Sequence, residues 1–405
     1  MAGSPVAGAA PTDGRLFTPA FLALSFAELA YFTAEGLTIP VAPLFARGPI
    51  GASVEGVGLA VGAFSVTALV LRPYAGRLSD RVGRRPLLVG GALAYAAVMV
   101  ATALVDSLPA LVALRLALGA AEAFFFVAGF AAVADLAPPG RTGEALSFNS
   151  LSLYLGIAIG PVLGGLLLDA GGFTMAWLGA AVLALLAAAL AWWLPETSDP
   201  STRTADERKA PLFQRAAIGP SFALFSGIAA MAGFFAFVAL HAVESLRFDG
   251  ASAVLLAFGL VVVGLRVSFA RLPDRVPPFR LGTLALALCA SGLMIVGLVP
   301  TVPGLFLGAV VLAAGVAFIT PAMFTAIFAR VQPSERGSAS GTASLFLDLA
   351  FGGGPMLLGL VAGTAGMSVA FVVGASIAAL GAMGCAVAAL RAARAASLAE
   401  RAPAA

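Results

Sequence analysis

The sequence predicts an all-α membrane protein of twelve transmembrane helices in two pseudo-symmetric six-helix bundles. Three observations predict it. The chain of 405 residues is 60% hydrophobic and only 11% charged, where a soluble protein of this size carries about 25% charged residues. Its basic residues are confined to alternate loops. Its two halves repeat at one fixed offset.

The first element is read from Phe17 onward. The residues before it are mostly Gly, Ala, Pro and Thr, then Arg15, with neither a basic n-region nor a cleavage site of the secretory kind. A span needs about 20 mostly apolar residues. Apolar runs broken by Pro, Gly and charge place the first six spans at 17–44, 53–73, 86–105, 109–136, 143–168 and 173–194. The second six fall at 217–243, 251–270, 280–300, 303–329, 337–363 and 367–390. Between the two sets lies the one long polar stretch, 195–216. The expected organisation is therefore a bundle over 1–194, a cytoplasmic linker over 195–216 and a second bundle over 217–405.

Orientation follows from the positive-inside rule. With the N-terminus in the cytoplasm, all of the 23 Lys and Arg except Arg47, Arg115 and Arg247 fall in cytoplasmic loops and tails. An even number of spans with both termini inside is the reading that fits. All but one of the basic residues are Arg, in a chain rich in Ala and Gly. That composition points to a GC-rich bacterial genome, and so to a bacterial inner membrane.

The repeat is read at an offset of 194 positions, from residue 72 to residue 359. Arg72 meets Arg266, Arg77 meets Arg271, Asp80 meets Asp274 and Arg81 meets Arg275. Further on, Pro109 meets Pro303, Gly143 meets Gly337, Pro161 meets Pro355 and Gly165 meets Gly359. Membrane transporters are commonly built from such repeats, with the substrate held between them near the midplane.

Several function classes are excluded. A net charge of +3 leaves no nucleic-acid footprint. Cys289 and Cys385 lie in apolar runs without a metal or disulfide spacing, and read as buried thiols. The chain has one His, no nucleophile elbow, no phosphate loop and no ATPase motif. It reads as no enzyme, with no cofactor and no metal, and its energy source is an ion gradient.

Three motifs carry a resemblance. Gly76-Arg77-Leu78-Ser79-Asp80-Arg81-Val82-Gly83-Arg84-Arg85-Pro86 joins spans 2 and 3. Gly76 and Gly83 permit close helix approach and a tight turn. Asp80 suits a helix start or a nearby Arg. Arg81, Arg84 and Arg85 suit an anionic leaflet. Read by itself this loop is a topology anchor. It resembles the signature cytoplasmic loop of the major facilitator superfamily, at every main position. The resemblance implies the major facilitator fold, and a loop that latches the two halves on the cytoplasmic side. The second copy, Arg271-Leu272-Pro273-Asp274-Arg275, is degenerate.

Span 4 carries Leu114-Arg115-Leu116-Ala117-Leu118-Gly119. It is similar to the superfamily's second motif, whose intramembrane Arg is linked to proton coupling. Span 5 carries Gly156, Gly160, Pro161, Gly164 and Gly165 in the spacing G-x-x-x-G-P-x-x-G-G. It resembles the motif of the superfamily's antiporters. Pro161 is expected to kink the helix, and the glycines let another helix approach. Arg72-Pro73-Tyr74-Ala75-Gly76-Arg77 and Phe346-Leu347-Asp348-Leu349 resemble the bacterial drug-efflux and arabinose-efflux-like branch.

Ionisable residues inside spans are costly and mark function. Glu28 and Glu35 on span 1, and Arg115 and Glu122 on span 4, are each seven apart and share a helical face. A rise of about 1.5 Å per residue sets Arg115 at the depth of Glu35, and Glu122 at the depth of Glu28. The resemblance implies that spans 1 and 4 line the cavity. The expected site is a Glu35–Arg115 ion pair above a Glu28/Glu122 carboxyl pair able to hold a proton. Asp348 in span 11 is a candidate third protonation site, or the partner of a loop Arg. His241 reads as an interface residue. Phe124, Phe125 and Phe126 on span 4, with Phe234 and Phe235 on span 7, are candidates to line an apolar pocket.

The leading expectation is a proton-coupled exporter of small amphiphilic compounds working by alternating access. Its partners are that substrate, protons and membrane lipids, with no nucleic acid, and a monomer is the default state. A sugar or metabolite carrier, including a proton symporter, and a non-transporting receptor on the same fold remain the alternatives.

Overall fold

The computed structural model describes residues 15–138, 141–197, 214–269, 272–331 and 336–401, and everything described is helix, turn or connecting loop. In order, the helices are α1 (Pro19–Arg47), α2 (Val54–Gly62), α3 (Phe64–Val82), α4 (Arg84–Thr102), α5 (Leu108–Leu136) and α6 (Thr142–Trp192). Then follow α7 (Ile218–Leu240), α8 (Ala251–Ser268), α9 (Leu272–Arg275), α10 (Pro278–Leu298), α11 (Val302–Phe328), α12 (Arg336–Ala365) and α13 (Met367–Arg401). Eleven helical stretches among the described residues are long and apolar enough to cross a bilayer.

The helix starts obey local rules. Before α1, the Phe21 amide donates to Thr18 Oγ1 at 3.2 Å, and Pro19 occupies the first turn, where no amide partner is needed. Thr301 and Pro303 open α11 in the same way, with the Gly304 amide donating to Thr301 Oγ1 at 3.1 Å.

Two features depart from the expected outline. The signature loop is mostly helix: α3 runs on through Gly76, Arg77, Asp80 and Arg81, and only Gly83, at φ 111°, ends it. The helix accommodates Pro73 and Gly76 and so outlasts the apolar run. The other feature is α6, which contains one 45-residue apolar stretch, Phe148–Trp192. It stays helical through Pro161 and leaves helical geometry at Gly171 (φ −156°, ψ 20°) and Gly172 (φ 70°, ψ −166°). Gly172 adopts a conformation open essentially to glycine alone. A Cβ on Gly179 would strike the Leu167 side chain. In a straight helix those residues would stand about 18 Å apart, so the chain doubles back at the glycine pair.

The chain divides into two compact units, one of Met1–Thr204 with Asp249–Leu260, the other of Ala205–Phe248 with Val261–Ala405. In the first, α1 lies along α6, α5 lies against α3 and α4, and α4 lies against α6. In the second, α7 lies along α12, α10 against α11, and α10 against α13. At the repeat offset α1–α6, α4–α5 and α4–α6 align with α7–α12, α10–α11 and α10–α13, while among the described residues α3–α5 has no such counterpart.

The span 5 glycines make a close helix contact in the first unit. A Cβ at Gly160 would stand 2.5 Å from the Leu37 nitrogen and 2.6 Å from Gly36 C and Thr33 O. Gly156 faces Phe32 and Gly164 faces Leu37 in the same manner, so positions four apart form a groove for α1. Gly165 points elsewhere, towards Ser252. Many large side chains turn outward, among them Phe26, Val70, Leu104, Leu166, Trp192 and Trp193. In water such a surface would be anomalous, but lipid tails are its natural solvent.

Candidate functional site

The interior of the first unit holds three polar groups. In the first, Glu28 on α1 is 3% exposed and accepts a hydrogen bond from the Asn149 side-chain amide on α6. Ser25 donates to Asn149 Oδ1 at 3.3 Å, and Ser152 donates to the Ser25 carbonyl at 2.9 Å. These bonds tie α1 to the start of α6 beside the glycine groove. Gly129 on α5 completes the enclosure, since a Cβ there would meet Glu28 Oε1 at 2.5 Å.

The second group joins three helices. Arg72 on α3 pairs with Glu122 on α5 at 3.8 Å, with side chains 11% and 15% exposed. The Arg72 guanidinium also lies 4.5 Å from the centre of the Phe126 ring. The half-buried Glu35 of α1 is in electrostatic reach of both Glu122 and Arg72. Tyr31 stacks on Phe125 with ring centres 3.8 Å apart and meets Tyr95 edge-on at 5.0 Å. Both tyrosines stand within reach of the two carboxylates.

The third group is Arg115 on α5, 6% exposed and 5.8 Å from the centre of the Trp177 ring on the second limb of α6.

The expected pairing is therefore redrawn. Glu122 pairs with Arg72, and Glu35 is in electrostatic reach of both. Glu28 sits apart with Asn149, and Arg115 sits apart with Trp177. Equal depth along two helices did not settle which faces meet, and Arg72 enters from α3, which that estimate left out. Asn149 was not picked out, because a lone Asn at a helix start reads as a cap. Asp348 on α12 is 3% exposed within the second unit. His241 is buried there too, against Phe371 at 5.2 Å, and not at a wet interface. Of the candidate pocket phenylalanines, Phe125, Phe234 and Phe235 are buried, while Phe124 and Phe126 are half-buried.

A separate polar cluster surrounds the signature motif. The Glu196 carboxylate accepts from the amides of Arg84 at 2.7 Å and Arg85 at 3.3 Å, satisfying two open donors at the start of α4. Arg84 donates through Nε to Asp135 at 3.1 Å and through Nη1 to Ser79 at 2.9 Å. Thr197 donates to the same Asp135 oxygen at 3.1 Å. Arg85 lies 5.0 Å from the Trp192 ring centre. Gly83 is needed at positive φ, and also because a Cβ there would stand 2.6 Å from Glu196 Cδ. Gly76 is under no such pressure, its nearest neighbour being Val127 at 3.9 Å. Arg77 and Arg81 are exposed, and the Asp80 side chain lies outside the described residues. The acid that serves this helix start is thus Glu196, 112 positions away.

The sequence profile described as Major Facilitator Superfamily matches residues 24–302. The chain belongs to the Major Facilitator Superfamily. It is similar to an uncharacterized MFS-type transporter of Burkholderia mallei, at 32% identity over 88% of this chain and 89% of that protein. A second such transporter, from Salmonella typhimurium, is 27% identical over 88% of this chain and 93% of its own length. Among solved structures, the human organic anion transporter MFSD10 shares the fold, with a TM-score of 0.72, 20% identity and cover of 91% of this chain and 100% of that one. The protein is a multi-pass membrane transporter of the superfamily and not an enzyme.

Proposed function

We propose that this superfamily member is a proton-coupled exporter of small amphiphilic compounds, of the drug-efflux and arabinose-efflux-like branch. It sits in a bacterial inner membrane as a monomer with both termini in the cytoplasm. The observation that carries the coupling is the Glu35–Glu122–Arg72 group. Two carboxylates facing one guanidinium in a low-dielectric interior favour holding one proton between them. Arg72 balances the remaining negative charge. A cationic or polar substrate group that engages either carboxylate competes with that proton, which is the requirement of antiport. Glu28, Arg115 and Asp348 are further candidates in the proton path. The direction of transport rests on the span 5 motif, Gly156 to Gly165, and its resemblance to the antiporter motif.

Counting the two limbs of α6 as separate spans makes twelve. They form bundles over 1–194 and 217–405 that rock about a central site, with 195–216 as their link. Arg81, Arg84 and Arg85 of the signature motif serve the cytoplasmic latch.

Everted membrane vesicles carrying an imposed proton gradient test the reading. Addition of a transported compound should collapse the gradient, and Glu35→Gln or Glu122→Gln should abolish the collapse. Compound-driven collapse with an unchanged pH profile in both variants would refute the assigned coupling site. Uptake driven by an inward gradient in right-side-out vesicles would identify a symporter of sugars or metabolites instead.

A further inference from the structure

Arg115 is a buried cation whose balancing charge is missing from its surroundings. A guanidinium does not lose its proton inside a protein, and a buried, uncompensated charge is expensive. The side chain is 6% exposed, and its Nη2 makes no hydrogen bond. The two α1 acids are occupied elsewhere, Glu28 with Asn149 and Glu35 with Glu122 and Arg72. The neighbours of Arg115 are further donors. Trp177, 5.8 Å away and fully buried, has an Nε1 with no hydrogen-bond partner. Tyr95 is in electrostatic reach of the guanidinium and meets Tyr31 at 5.0 Å between ring centres. Buried polar groups in folded proteins are almost always partnered. Arg115 Nη2 and Trp177 Nε1 are two neighbouring exceptions, both donors, and among the described residues neither meets an acceptor carrying negative charge.

We propose that Arg115 and Trp177 form a binding site for a small anion, either a halide ion or the carboxylate of an organic acid. The planar guanidinium supplies the charge and two parallel N–H groups. The indole N–H completes the donor set, and the apolar ring faces exclude water. The site needs neither the direction nor the coupling proposed above, and its test does not depend on transport.

Trp177 is one of three tryptophans, so a Trp192→Phe/Trp193→Phe chain reports on it alone. Bromide quenches indole emission only at contact, and a buried indole is reached only by an anion bound beside it. Bromide is titrated into the purified protein, with sulfate holding the ionic strength constant. The expected result is a saturating loss of Trp177 emission that non-quenching chloride reverses and that disappears in Arg115→Met. Reversal by acetate as well as chloride assigns the site to carboxylates too, and reversal by chloride alone assigns it to halides. Absent or non-saturating quenching, or quenching that survives in Arg115→Met, overturns the proposal and leaves only water to satisfy these donors. Removing an unpaired buried charge should not impair folding. Should Arg115→Met nonetheless fail to fold, chloride competition in the intact chain decides the matter.

Discussion

At the repeat offset of 194, Glu28, Glu35, Arg115, Glu122 and Asn149 of the first unit correspond to Phe222, Ala229, Ala309, Val316 and Ala343 of the second. The two units share most of their helix pairings, yet one carries an interior network of acids and guanidinia. The other buries Ser221, Ser226, His241, Thr342 and Asp348. Apolar side chains thus serve the same helix plan at every one of those five positions. Because well-packed apolar groups commonly match or exceed a buried ion pair in stability, the charges of the first unit are not explained by folding. They are where we place the chemistry.

The contrast extends to two other places. Gly36, Gly156, Gly160 and Gly164 at the α1–α6 contact correspond to Ala230, Ala350, Gly354 and Leu358. The α7–α12 contact is correspondingly looser: a Cβ on Gly354 would stand 2.9 Å from Ala229 O and 3.2 Å from its Cα. At the start of α4, the amides of Arg84 and Arg85 need the Glu196 carboxylate. At the start of α10 the corresponding residues are Pro278 and Phe279, preceded by Pro277. A proline has no amide hydrogen to satisfy, so the second unit meets the same need by removing a donor.

The largest expected effect tests the chemical half of the comparison. Glu35→Gln and Glu122→Gln should each lower proton-driven transport in proteoliposomes by about tenfold or more, within the range of ordinary coupling free energies. Asp348→Asn in the second unit should lower it less. An equal loss from Asp348→Asn would break the assignment of coupling to the first unit.

Next comes helix contact. Gly160→Ala should cost about 1–3 kcal/mol through overpacking against backbone. Gly354→Ala should cost less, and thermal unfolding of the two variants side by side decides the order. Smaller again is the Glu28 anchor. Asn149→Ala should cost about 1 kcal/mol by leaving a buried carboxylate without its donor. The double variant Glu28→Met/Asn149→Ala, which copies the apolar character of Phe222 and Ala343, should recover that loss in denaturant titrations. The smallest effect is expected at the α4 start, where Glu196→Gln keeps an acceptor and loses a charge. A decrease of about 0.3–1 kcal/mol is the scale of charge at a helix end, and it should shrink as salt is raised.

The chain's own order of residues determined much of this architecture. Composition and the confinement of Arg to alternate loops marked a many-spanning membrane protein. Pro19, Pro109 and Pro303 marked helix starts, and the glycines from Gly156 to Gly165 marked a close contact. These are properties of one helix at a time, set by local backbone rules and by transfer into lipid. The pairings were another matter. Rise along a helix fixes depth, but not which neighbour a face meets. Only the packed unit decided that Glu35 faces Glu122 and Arg72 and not Arg115, that Asn149 holds Glu28, and that Glu196 returns to α4 across 112 positions. Those choices depend on rotation and tilt set by the whole set of contacting surfaces, and no single stretch of sequence contains them.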